Sequence, residues 1–147
     1  MDRSTSKELE AAVAAVPSVP EGDRDGAAAV GDLVLPLLSR LQRQHALETT
    51  GLWPVLLERV DPADVLAVRL MKSQRTGVSA LTERAARALS TWLGSASSAS
   101  ATDLIAALTR LGDALDQHAA AAESTLAPLV DRHLTTDERA ALDRGAD

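Results

Sequence analysis

The chain has 147 residues, enough for one domain with a single core, and with no Cys, Phe or Tyr and only two Trp that core must be built from Leu, Val and Ala. A hydrophobic share of 46% against an aromatic share of 1% favours packed helices over strands, and the absence of cysteine excludes disulfides, thiolate metal sites and cysteine nucleophiles. A net charge of -6 offers no basic face for nucleic acid or anionic lipid, so neither is an expected partner, and no apolar run approaches the ~18–20 residues of a membrane span.

The opening segment MDRSTSKELE has no signal-peptide core, which makes a cytoplasmic location the expectation. Lys7 to Val16 reads as a short helix capped by Ser4 or Ser6. Pro17, Pro20, Gly22 and Gly26 then mark a linker, so residues 1–26 are assigned to a short helix and flexible linker and residues 27–147 to the bundle. The first strong helix falls between about Ala27 and Thr50, with Leu33, Leu37, Leu41, Gln44, Glu48 and Leu52 as its seam; Pro36 either lies in its first turns or kinks it. Asp61-Pro62 is a start signal for a second long helix, ending near Trp92, whose seam is Leu66, Leu70, Gln74, Val78, Leu81, Ala85, Ala88 and Trp92.

Residues 94–101, GSASSASA, read as a small-residue linker, and Thr102-Asp103 as the start of the last long helix. Its seam is Leu104, Leu108, Leu111, Leu115, His118, Ala122, Thr125 and Leu129, with Pro128 marking a kink or an early end. Thr135 and Glu138 form a capping box for a short terminal helix. The fold class is therefore all-α, an up-down four-helix bundle with a short C-terminal helix. A homodimer that completes the bundle with a second chain's helix is the alternative.

Three seams carry polar residues near mid-length: Gln44 with Glu48, Gln74, and His118; one residue around from them lie His45, Arg75 and Glu123. A carboxylate in a Leu/Ala core is costly unless paired, bound to a cation or neutralised, so Glu48, Glu123, His118 and Arg75 have a physical reason to converge. Each also has an ordinary reading. His118 is a satisfied core histidine, Arg75 snorkels to water, Glu48 and Gln44 point into solvent at a helix end, and His133 is a surface residue in a turn.

Two segments resemble the hemerythrin-like (HHE cation-binding) family. One is Gln44-His45-Ala46-Leu47-Glu48 with Leu52-Trp53-Pro54; the other is His118 and Glu123 with Leu126-Ala127-Pro128-Leu129 and Glu138, while Met71 to Arg75 stands where the family has Met followed by His. The resemblance implies a four-helix bundle around a pair of iron ions held by histidines and bridging carboxylates, the latter at Glu48 and Glu123, with His118 as a terminal ligand. This chain departs from that pattern. Gln44, Arg75 (or Gln74) and Ala122 stand at ligand positions, and the whole chain has three histidines.

The expectation is a metal-free or metal-poor bundle whose interior cavity binds or transforms a small organic molecule by acid/base chemistry. Glu48 or Glu123 would be the base, His118 the acid–base partner and Arg75 the anion clamp. Gln44, His45, Gln74, Trp53, Met71 and Ala122 would line the cavity. No cofactor is expected. One alternative is a single iron or other metal ion on His45, Glu48, His118 and Glu123, serving redox or oxygen sensing; another is a non-catalytic interaction or regulatory module.

Overall fold

The structure, a computed structural model, describes residues 3–146. Among them every regular element is helical, and the long helices pack as a helical bundle. In chain order these are α1 (Arg3–Ala15), α2 (Arg24–Gly51), α3 (Trp53–Arg59), α4 (Val65–Ser95), α5 (Ser98–Ala121), α6 (Ala127–His133) and α7 (Thr136–Ala146). No helix of the described residues is long and apolar enough to cross a membrane.

Local chemistry sets the boundaries. Asp23 caps α2 by accepting the Gly26 N–H at 3.0 Å, and Pro36 is carried inside a continuous α2 on its exposed side. Asp61-Pro62 opens a single 3-10 turn, and the α-helix proper begins at Val65. The expected linker at 94–101 shrinks to one corner. Ala96 takes a left-handed conformation (φ 49°), and Ser97 caps α5 by accepting the Ser100 N–H at 3.2 Å. Ser98 to Ala101 are already helical, because alanine and capped serine cost a helix little. Near Pro128 the α5 ladder widens into a π-turn, Ala122–Leu126, which accommodates the N–H that proline lacks. The Thr135–Glu138 box forms as its spacing predicts: Thr135 N–H donates to Glu138 Oε1 at 2.9 Å, and Glu138 N–H to Thr135 Oγ1 at 3.1 Å.

The segment read as a short helix and linker is part of the core. Leu9, Ala12 and Val16 are buried in the same apolar cluster as α2, α4 and α5, with α1 packed on α5 and α2. The loop after α1 is tied down as well, since Gly22 (φ 82°) donates its N–H to Ala96 O at 2.9 Å.

Two seams rotate relative to the apolar spacing. On α4 the buried stripe is Val68, Met71, Arg75, Val78, Thr82, Ala85, Leu89 and Trp92, while Leu66, Leu70 and Gln74 face solvent. On α2, Leu33 is exposed and Val30, Val34 and Leu38 join Leu37 and Leu41 inside. The α5 seam from Leu104 through His118 is buried along its length.

The interior has two apolar clusters. One contains Leu9, Val34, Leu41, Val78, Leu89, Trp92, Leu108 and Leu115. The other contains Leu52, Trp53, Leu56, Val68, Met71, Leu129 and Leu134. Along each long helix a polar residue marks the passage from one cluster to the other: Glu48 between Leu41 and Leu52, Arg75 between Met71 and Val78, and His118 between Leu115 and the half-buried Ala122.

Candidate functional site

Glu48, Arg75 and His118 lie in this boundary, at 7%, 1% and 4% exposure. The ordinary readings of Glu48 and Arg75 both fail: Glu48 does not point into solvent. Arg75 does not snorkel; its Nε donates to Glu48 Oε2 at 2.7 Å, a charge-assisted contact between α4 and α2. Gln44, one turn before Glu48, stands with its Nε2 3.5 Å from Glu48 Oε1, at the outer limit of a hydrogen bond. The carboxylate is therefore matched inside the protein by a guanidinium, which offsets the cost of burying it where water is scarce.

His118 comes from α5. Burial in apolar surroundings, reinforced by the positive charge of Arg75, pushes its imidazole down to about 4, so the ring is neutral at pH 7. Its Nδ1 is buried and has no hydrogen-bond partner. The ring also lines a half-open groove of about 240 Å³ between α4 and α5, whose other walls include Gln74, Gly77, Val78, Leu81 and Gln117.

The remaining sequence-derived candidates are placed differently. Of the two carboxylates only Glu48 is buried. Glu123 lies in the π-turn and is exposed, so one of the two carboxylates is desolvated and the other is not. Glu123 and the half-buried Ala122 line a separate groove, with Leu126 and Arg139. Gln74 is exposed at the rim of the His118 groove rather than in the seam. Met71 and Trp53 belong to the second apolar cluster, and Trp53, 1% exposed, lines no mouth; its indole Nε1 is buried without a hydrogen-bond partner. His45 is half-buried on α2, its Nδ1 likewise without a partner. His133 is half-buried, and its carbonyl accepts from Arg59 at 2.8 Å. Among the described residues no three His, Asp or Glu side chains are grouped so as to hold a metal ion.

Sequence reasoning passed over Gly77 and Gln117. Gly77 had a signal: it interrupts a helix of 31 residues, and a Cβ built on it meets no atom within 4 Å. Mid-helix glycine is about 1 kcal/mol less favourable than alanine, and no packing inside the protein requires it here. Gln117 had none beyond its place next to His118.

No family model, curated protein or solved structure matches this chain.

Proposed function

We propose that the chain is a hemerythrin-like, up-down bundle with an ionised but metal-free interior, and that it binds a small organic molecule in the groove beside His118. The observation that carries this is His118 itself: a buried, neutral imidazole with an unpartnered Nδ1, forming the inner wall of an open groove. Gln74 and Gln117 supply amide donors and acceptors around it, Val78 and Leu81 an apolar floor, and Gly77 leaves room for close approach to the α4 backbone. The topology is supported by the packing order, in which α1 meets α2, α2 meets α4, α4 meets α5 and α5 returns to α1.

Binding is favoured over turnover. An imidazole held at about 4 is a weak base at neutral pH, and Glu48 is committed to Arg75, so neither is poised for proton transfer. A pair of iron ions does not fit this layer. Arg75 fixes a positive charge against the carboxylate that a metal would need, and the histidine at hand is single. A matched, near-neutral interior favours an uncharged ligand with a hydrogen-bonding head.

The test is NMR titration of the whole chain with a set of small amides, alcohols and carboxylic acids. The expected result is that neutral hydrogen-bonding fragments shift Gly77, Gln74 and Gln117, and that Gly77→Leu abolishes the shifts without lowering the melting temperature. Shifts absent for every fragment, or unchanged in Gly77→Leu, reject the site. A stoichiometric metal in protein purified without chelator rejects the metal-free reading. The second reading, a structural or regulatory interaction module, is favoured by the sealed Glu48–Arg75 pair, which is suited to fixing helix register.

A further inference from the structure

Two surface features play no part in the His118 site. The first is a groove of about 260 Å³ between α1 and α5. Leu9 and Leu108 form its floor; Gly112, where a Cβ would meet no atom within 4 Å, keeps it open; Glu10, Asp113 and Asp116 make its walls acidic. Lys7 and Arg110, the cations nearest in sequence, do not line it. The second feature is the start of α4. Leu66 and Leu70 are 68% and 56% exposed, and being four apart they share one helix face. Arg69 and Lys72 flank them, and no acidic residue occurs between Val65 and Gly77.

These surfaces are complementary in sign, and each presents apolar side chains. Two leucines one turn apart are the anchors by which a helix seats in an apolar groove. Basic neighbours of the anchors match acidic walls. Neither surface suits itself: α4 against α4 opposes Arg69 and Lys72 to their own kind, and groove against groove opposes carboxylates.

We propose that this chain docks onto a second copy of itself, Leu66 and Leu70 of one copy seating in the α1/α5 groove of the other. The contact joins two different patches, so it either closes as a two-fold pair in which each copy's leucines enter the other's groove, or continues as a head-to-tail chain. It uses neither His118 nor Gly77 and stands independently of the ligand site.

Sedimentation velocity on the full chain over a range of concentrations tests it. The wild type associates, and association weakens as salt rises. Leu66→Ser/Leu70→Ser and Asp113→Lys/Asp116→Lys each weaken association by about tenfold or more, while circular dichroism stays unchanged because all four side chains lie on the surface. Mixing the two variants restores a one-to-one complex through the groove of the first and the leucines of the second. A patch that met its own copy would not be rescued in this way, so a mixture that stays monomeric where the wild type associates overturns the proposal. So does a groove variant that still associates. A wild type that is monomeric throughout, but whose groove resonances shift with a basic amphipathic peptide, overturns self-docking in favour of a foreign helix.

Discussion

Replacing Arg75 by methionine keeps most of the side-chain volume and removes the charge. The guanidinium is 1% exposed and sits 2.7 Å from Glu48, itself 7% exposed, so the substitution leaves a carboxylate in a layer bounded by apolar clusters on both sides. Breaking a buried pair from one side costs roughly 3–5 kcal/mol. The Gln44 amide near the other carboxylate oxygen and the residual exposure of Glu48 place the expected loss at the lower end, ~3 kcal/mol, against a total stability of order 10 kcal/mol. Removing both charges together, as Glu48→Leu/Arg75→Met, should leave stability unchanged or raise it by ~1–4 kcal/mol, because neither ion is then desolvated. The two tryptophans make the assay informative. Trp92 lies in one cluster and Trp53 in the other, so urea unfolding followed in single-tryptophan versions reads each side of the polar layer separately. Coincident midpoints in the wild type and a double-mutant cycle with a coupling of about 3 kcal/mol are expected. A loss under about 1 kcal/mol in Arg75→Met, or a double variant that loses the sum of the singles, would refute the assignment of Arg75 as the buried counter-ion.

Three further outcomes are expected. The folded imidazole of His118 titrates at about 4 and the unfolded one at 6.5, so the unfolded chain binds the extra proton between those values. Stability is therefore full above about pH 6.5 and declines as pH falls toward 4, by up to ~3 kcal/mol; His118→Asn flattens that stretch of the profile, and a ring titration near 6.5 in NMR would sink the claim. Gly77→Ala should stabilise the protein by about 0.5–1 kcal/mol, measured by urea midpoint, while weakening fragment binding in the His118 groove. Glu138 is held down to about 2, chiefly by the hydrogen bond from Arg59, with which it pairs at 2.6 and 3.0 Å. That tie is present above about pH 4.5 and lost toward pH 2, so the protection of α7 amides relative to their intrinsic exchange rates should fall in acid, and fall likewise at neutral pH in Glu138→Gln.

What the sequence disclosed depended on how local the cause was. The Thr135–Glu138 box was legible because its donors and acceptors lie within four consecutive residues. His118 was legible because its seam, from Leu104 to Leu115, is regular. The α4 seam was misjudged by one residue because Leu66 and Leu70, apolar but exposed, draw the periodicity toward the wrong face. Its true stripe contains Arg75, which becomes a core residue only because a carboxylate from α2 meets it there. A pattern of apolar residues along one helix cannot encode a partner on another. The same limit hid the docking of α1, read from the sequence as a short helix, whose Leu9, Ala12 and Val16 pack into the core against α5.

A Leu/Ala bundle of this size has no need of an ion pair at mid-height, since apolar replacements of matching volume are as stable or more so. Two reasons for keeping it remain, and they are separable. If Glu48 and Arg75 only fix the register of α2 against α4, the apolar double variant loses uniqueness of packing, seen as broadened or doubled resonances, while fragments still shift Gly77. If the pair instead supplies the polar back wall that positions the His118 ring beside its groove, the double variant keeps sharp spectra and loses binding. With Arg75 gone, the charge beside the imidazole goes too, while burial, the largest cause, still lowers its titration midpoint. The His118 ring should then titrate above 4, an independent sign that the wall and the site are one structure.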